Sequence, residues 1–477
     1  MSIRKNYSYN LLLSGLNILF PVITFPYVAR LLSPEGIGNV QFIFSFAQYF
    51  AIMAGIGMPI YGVKEIARFR HSRKQFDRVF SELISLSMLA ALVTTIIYVI
   101  CLFSVPRMEA QSGFYLLAGL VILFSGFNVD WFFSGLEQFR FITIRSIIVK
   151  FIALIGLFLM VRSEEDQIYY LGFLTFMFVG NYLFNFIALQ GRVRFTLKGL
   201  SFKRHLTPLF FILSTTFATT LYTTLDTVML GFLAGDYQVG LYVAGVKLSK
   251  VVIPIVTALS MVLVPRIVGL IEKGESLKER GMLKRSFAFT VFISMPLVVG
   301  LFSLRNEFIY LFSGEAFMEA TQPMYFLAFL PLLIGIGHFS AFQVLLPNNL
   351  NKGMFIATAL GFLVFFIVNL LLAPQYGATG AAIATMCTEV IVTLTYIYFM
   401  PKAIVKAIDW YEIPKALVLC LLFVPIVYGI RSLGWGPLAN LTLSIVICAP
   451  LYFSLQHFIF SSTFVKEGLD MIKKRLA

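Results

Sequence analysis

Charge is scarce in this chain, and the side chains that build most active sites are scarcer still. Only 13% of its 477 residues are charged, roughly half the share of an ordinary soluble protein, which leaves too little polar surface for a water-soluble domain of any size. The four cysteines, Cys101, Cys387, Cys420 and Cys448, stand singly inside apolar stretches. Neither a disulfide framework nor a thiolate metal site is expected, and they read as packing residues. The four histidines, His71, His205, His338 and His457, are equally scattered; His338, in a Gly-Ile-Gly-His run, reads as a hydrogen-bonded packing residue or as a proton relay. No G-x-x-x-x-G-K-[ST] loop, no H-E-x-x-H and no G-x-S-x-G occurs. These absences speak against an internal ATPase, a zinc peptidase and a serine hydrolase, and no cofactor or metal is expected.

What the chain does have is long hydrophobic runs: 59% of its residues are hydrophobic and the mean hydropathy is +0.88. Fourteen windows of about 20 apolar residues, each enough to cross ~30 Å of hydrocarbon, fall near 10–31, 39–62, 79–103, 114–135, 141–161, 167–189, 208–233, 240–264, 286–304, 322–346, 353–373, 378–400, 414–431 and 438–459. The expected fold class is therefore all-α: a polytopic membrane protein with two six-helix parallel repeats and two further helices. Residues 1–200 would form an N-terminal lobe, 201–402 a C-terminal lobe, and 403–477 the two additional helices with a basic tail. The first segment follows Arg4 and Lys5 as a signal peptide would, but it lacks a small-x-small cleavage site and holds Pro21 and Pro26, so it is expected to be retained.

A net charge of +14 could point to nucleic acid, but its placement follows the positive-inside rule instead. With both termini in the cytoplasm, inner segments carry the basic runs Lys64 to Arg78, Arg140 with Arg145, Arg192 to Arg204, Arg266 to Arg285 and the C-terminal Lys466 to Arg475. The outer side then holds Arg30, Arg107, Arg162, Arg305 and Arg431 against a larger set of acids, among them Glu35, Glu109, Asp166, Asp236 and Glu307. The run from Lys64 to Arg78 reads as a segment facing anionic lipid or as the lining of an inner entrance. Outer loops are short throughout, which argues against a membrane polymerase or glycosyltransferase that needs an extramembrane acceptor site.

Two pairs of helices carry polar stripes. In 208–233, Thr215, Thr219, Tyr222 and Asp226 are spaced by four, three and four, and in 240–264 Lys247 and Lys250 leave one face. Earlier, Asn10, Ser14, Asn17, Pro21 and Thr24 form a comparable stripe, followed by Gln41, Ser45 and Gln48. Aligning Gly38 with Gly240, an offset of 202, lays Ser45 on Lys247 and Gln48 on Lys250. The chain reads as a duplication.

Ionisable residues inside the windows are few: Asp130, Lys150, Asp226, Lys247, Lys250 and Glu389. A charge at membrane depth costs about 2.5–3.5 kcal/mol on insertion scales, so each is expected to meet a partner or a watery cavity. One reading pairs these acids and lysines across the bundle. The other turns Lys247 and Lys250 into a cavity where they bind an anionic group, with Asp226 moderating them or taking a coupling proton or cation. Arg30, at the outer end of the first helix, either snorkels to headgroups or closes the outer mouth over a phosphate.

Several stretches resemble the bacterial polysaccharide-biosynthesis (O-antigen, Wzx-type) flippases, whose superfamily includes the multidrug-and-toxin extruders and the lipid II flippase. They are Arg30-Leu-Leu-Ser-Pro-Glu-Gly-Ile-Gly38, Thr223-Thr-Leu-Asp-Thr-Val-Met-Leu-Gly231, Val239-Gly-Leu-Tyr-Val-Ala244 and Tyr376-Gly-Ala-Thr-Gly-Ala-Ala382. The resemblance implies a non-enzymatic transporter of the bacterial inner membrane. Its substrate would be an undecaprenyl-pyrophosphate-linked oligosaccharide, such as an O-antigen or capsule unit, moved to the periplasmic leaflet by alternating access. On that reading Lys247, Lys250, Arg30 and Lys150 would hold the diphosphate. Asp226, Asp130, Glu389, Asn17, Gln48 and Thr223 would be polar or coupling residues of the passage. The implied partners are that lipid-linked oligosaccharide, membrane lipids and other polysaccharide assembly proteins, with no nucleic acid. A drug or metabolite extruder, a lipid II flippase and a polysaccharide polymerase are the alternatives.

Overall fold

The computed structural model describes residues 3–196, 199–459 and 464; the side chains of 3–8, 10, 11, 214–224, 259, 261 and 262 lie outside that description. Every regular element among the described residues is helical, as backbone buried in hydrocarbon requires, because a helix satisfies its own hydrogen bonds. Twelve of the helices are long and apolar enough to cross a membrane. The protein is an all-α, polytopic membrane protein.

The helix Arg73–Ser104 illustrates how sequence selects a membrane-facing helix. Leu89, Leu92, Val93, Ile96, Ile100 and Phe103 are exposed at helical spacing, while Ala91, Thr94, Tyr98 and Leu102 are buried on the other side. An apolar stripe that turns outward is stable only against lipid.

Fourteen windows and twelve spans differ for identifiable reasons. The stretch Asn351–Phe399 is 49 residues long but holds a non-helical Gly377 at φ 52°, ψ −128°. A methyl on Gly380 would lie 2.4 Å from the carbonyl oxygen of Leu372, so the chain doubles back between them. Lys203–Ala234 is helical throughout, but eleven of its side chains, from 214 to 224, fall outside the described set.

Other helices are broken rather than straight. Pro34–Ala54 begins with proline at its first turn and Ser33 Oγ accepting from the Gly36 amide at 3.3 Å. It ends at Gly55–Gly57, where Ile56 (φ 37°) and Gly57 (φ 76°) are left-handed, and Met58–Phe69 starts anew. The 112–135 segment likewise splits into Ser112–Phe124, a 3₁₀ turn and Asp130–Gly135. Two caps correspond: Glu137 (φ 57°) follows Asp130–Gly135, Asn349 (φ 58°) precedes Asn351, and in each the next amide, of Gln138 or Leu350, donates five residues back at 2.9 Å.

The chain divides into two compact units, Met1–Gly240 and Leu241–Ala477. In the first, Lys203–Ala234 packs on Pro34–Ala54 and Met58–Phe69. A methyl on Gly38 would sit 1.7 Å from the Asp236 carbonyl oxygen, and one on Gly240 would sit 1.8 Å from that of Pro34. The two contacts are reciprocal under the offset of 202, with Pro34 matching Asp236. Arg107 secures the same junction, its Nη2 on Asp236 Oδ1 and its Nη1 on the Gly231 carbonyl, both at 2.6 Å, with its guanidinium 4.7 Å from the Phe42 ring centre.

The second unit has its core around Phe287, Phe339, Phe423 and Tyr452, with Cys420 and Cys448 packed among them. Arg431 holds Glu307 through Nε at 2.6 Å and Nη2 at 2.5 Å, joining Phe423–Arg431 to Arg305–Ser313.

Candidate functional site

In the first unit the polar residues of three helices converge. Asn128 Oδ1 accepts from the Asp130 amide at 3.3 Å and opens the short helix Asp130–Gly135, whose N-terminus favours a carboxylate. Asp130 Oδ1 accepts from Arg145 Nη1 at 2.7 Å and from Asn185 Nδ2 at 2.9 Å. Asn181 Oδ1 takes Arg145 Nε at 2.9 Å, and Asn185 Oδ1 also bonds Nη1. Asn181 and Asn185 lie four apart on Gln167–Ala188, which puts both amides on one face.

Arg145 departs from the sequence reading. Its place near a helix start suggests a solvated inner-surface cation, yet its side chain is only 4% exposed. A planar fork of five donors can be buried when acceptors surround it, and Asp130 and the two asparagines supply them. The sequence signal was present as the 181/185 amide pair, but nothing along the chain ties it to residue 145.

Lys150, five residues further along Phe139–Met160, donates to Asn17 Oδ1 on the first helix, with the Phe20 ring centre 5.8 Å from its Nζ. The sequence singled out both residues separately, and the structure joins them. Asn17 is a neutral amide, so this bond orients the half-buried ammonium without cancelling its charge.

The other predicted residues are distributed as follows. Gln48 lines a cavity beside the Gly55–Gly57 break. Arg30 is exposed near the end of the first helix. Asp226 is buried, its Oδ1 accepting from the Thr227 amide at 2.7 Å, and the Thr223 side chain lies outside the described residues. In the second unit Lys247 is half-buried and Lys250 exposed, whereas Leu248 and Ser249 between them are packed; Glu389 is half-buried.

A second buried network went unanticipated. Glu82, with no side-chain exposure, receives the Ser201 amide at 2.7 Å, His205 Nε2 at 2.9 Å, Arg78 Nε at 3.1 Å and the Arg204 guanidinium. His205 bonds Tyr61 OH at 2.8 Å through its other nitrogen. Asp77 and Ser81, on the same helix, accept the Arg194 and Thr196 amides at 3.1 and 3.0 Å. The basic linker after the sixth span is thus strapped to the start of Arg73–Ser104. The sequence reading did not single out Glu82, and it took Arg78 only as the end of the basic run from Lys64.

Comparison with known proteins adds to this geometry. The chain is 26% identical over 407 residues to a Shigella dysenteriae protein, covering 84% of this chain and 100% of that one, and 24% identical over 414 residues to one from Escherichia coli K12, covering 84% and 97%. Both are described as "Putative O-antigen transporter". The fold is shared with a solved lipid II flippase, MurJ, in an inward closed conformation, at a TM-score of 0.73 and 16% identity over 97% of this chain and all of that one. Residues 3–270, more than half of the chain, match the family described as "Polysaccharide biosynthesis protein", and the chain belongs to that family.

Proposed function

We propose that this protein is a flippase that moves undecaprenyl-pyrophosphate-linked oligosaccharide units, destined for O-antigen or capsule, from the cytoplasmic to the periplasmic leaflet of the bacterial inner membrane. It is a transporter and not an enzyme. Both termini are cytoplasmic on this reading, and the duplicated halves, 1–200 and 201–402, alternate the access of one passage to the two sides, with 403–477 added to the second.

The observation that carries the proposal is a cation inside a membrane helix held by a neutral group. Lys150 donates to the neutral Asn17 amide, a partner that leaves the charge of the protonated amine for an anionic substrate, whereas an extruder of organic cations needs acids in that role. The helix Asp236–Glu272 adds a second argument. Lys247 and Lys250 lie on one stripe, and Leu248, Val251, Val252 and Ile255 on another roughly 100° around the axis. The second stripe lines an apolar cavity of about 470 Å³ with Ile293 and Tyr452. Adjacent cationic and apolar faces suit a substrate with a diphosphate next to a polyprenyl chain.

The test is surface-polysaccharide display in a strain lacking its own flippase. Wild type restores display; Lys247→Gln/Lys250→Gln abolishes it while the protein stays in the membrane fraction at wild-type level. Undiminished display by that double variant rejects the assigned lysines.

A further inference from the structure

Where Met58–Phe69 ends and Phe139–Met160 begins, two open cavities of about 660 and 630 Å³ adjoin, sharing Arg70, Leu136 and Gln138 in their walls. Arg140 lines the larger, and His71, Arg73 and Arg192 line the smaller. Three segments distant in sequence thus bring their cations to one place.

Part of this charge is already matched. Arg70 Nη1 lies 3.4 Å from Glu137, the one acid among the described lining residues, and Arg73 Nε lies 3.2 Å from Asp77. Arg145, which also lines the larger cavity, is bonded to Asp130. Two guanidiniums are left over. Arg192 donates to the neutral Gln138 Oε1 and lies over the Phe133 and Phe141 rings, 5.4 and 5.7 Å from their centres. Arg140 is exposed and bonds no other described residue. A guanidinium seated on two rings with only an amide as acceptor keeps donors of its planar fork for an anion.

The wall changes character along the helix. Arg140, Ile144 and Ile148 are spaced by four and share one face of Phe139–Met160. The two isoleucines are 42% and 44% exposed, and Phe184 of the neighbouring helix lines the larger cavity with them. Exposed apolar side chains continue at Phe151, Ile152 and Ile155. From Arg140 to Ile148 the helix rises roughly 12 Å, more than the roughly 5–8 Å of headgroup region on either side of the hydrocarbon. A phosphate at Arg140 therefore leaves Ile148 among acyl chains.

We propose that the adjoining cavities are a site for a phospholipid with two phosphates, diphosphatidylglycerol. One phosphate sits on Arg140 in the larger cavity and the other on Arg192 in the smaller, with an acyl chain along Ile144, Ile148 and Phe184. Two unmatched cations meet two negative charges, and basic pockets between membrane helices suit such headgroups. None of the cations assigned above to the diphosphate of the cargo lines either cavity. The occupant is a resident lipid, and the inference requires only a bilayer around the chain.

The full chain in detergent is titrated with diphosphatidylglycerol, phosphatidylglycerol and phosphatidylcholine of equal acyl length, and bound lipid is counted by native mass spectrometry. Diphosphatidylglycerol should bind saturably and more tightly than the other two. Arg140→Gln/Arg192→Gln should weaken it about tenfold, as loss of two solvent-reachable ion pairs does, while Lys352→Gln/Lys402→Gln, which removes equal charge from exposed sites elsewhere, should not. Ile148→Asn should weaken it through the acyl chain with every charge in place. The proposal is overturned if phosphatidylglycerol or phosphatidylcholine binds as tightly, if the arginine variant matches wild type, or if the lysine variant loses as much. It is also overturned if equimolar inorganic pyrophosphate displaces the lipid, which would make the site one for a free anion, or if undecaprenyl diphosphate does, which would make it one for cargo. Should the arginine variant leave the folded peak in size exclusion, wild-type affinity of Ile148→Asn overturns the proposal by itself. Polysaccharide display enters none of these readouts, so their failure leaves the transport reading standing.

Discussion

Replacing Asp130 with asparagine isolates the energetics of the buried cluster. Arg145 keeps its amide acceptors in that variant but loses the counter-charge, while its side chain remains 4% exposed. Removing one member of a buried pair costs about 3–5 kcal/mol. The Asp130 side chain is 41% exposed, and that solvent access places the expected cost at the lower end, about 3 kcal/mol. Arg145→Met leaves instead a carboxylate that water can reach and that Asn185 still supports, at about 1–2 kcal/mol for the lost hydrogen bonds. The double variant contains no stranded charge and should cost no more than about 2 kcal/mol, well short of the sum of the singles. At roughly 2 °C per kcal/mol for a unit of 240 residues, Asp130→Asn should lower the midpoint of thermal unfolding in detergent by about 6 °C, and adding Arg145→Met should recover part of it. Wild-type stability of Asp130→Asn, or strictly additive losses, refutes the reasoning.

Two further outcomes follow from contacts within the first unit. Glu82→Ala leaves the Ser201 amide, His205 and Arg204 without their shared acceptor, so trypsin should cut the linker at Arg192 and Arg194 several times faster; an unchanged digestion rate means that the strap does not hold it. Gly38→Ala forces a methyl to 1.7 Å from the Asp236 carbonyl and should destabilise by about 1–3 kcal/mol, whereas Gly36→Ala meets only the flexible end of Gln167 at 3.0 Å and should fall nearer wild type in the same melting assay.

Much of the helical framework was legible because a run of about 20 apolar residues has few other uses. The interruptions were less so. Gly55-Ile56-Gly57 can continue a helix or end one, and only packing around the cavity decides it. The polar contacts were harder again, because periodicity reports which residues share a face and says nothing about which helix that face meets. Asn17 and Lys150 were each visible as polar residues in apolar runs, yet they lie 133 residues apart and their bond follows from tertiary packing. Arg145 was hidden by its position near a helix start, where a cation usually means solvent. Glu82 was hidden by Arg78, a local partner that accounts for it before the linker is considered.

These contacts bear on how the first unit carries charge inside apolar helices. An anion needs a cation whose charge is not already spent on an acid. Asp130 pairs with Arg145 at 2.7 Å, and Asn181 and Asn185 complete the acceptors of that guanidinium. Lys150, five residues beyond Arg145, donates to the Asn17 amide oxygen and not to a carboxylate. Asp130 and Lys150 therefore differ in kind: the acid is bonded to a buried guanidinium, the lysine to a neutral amide.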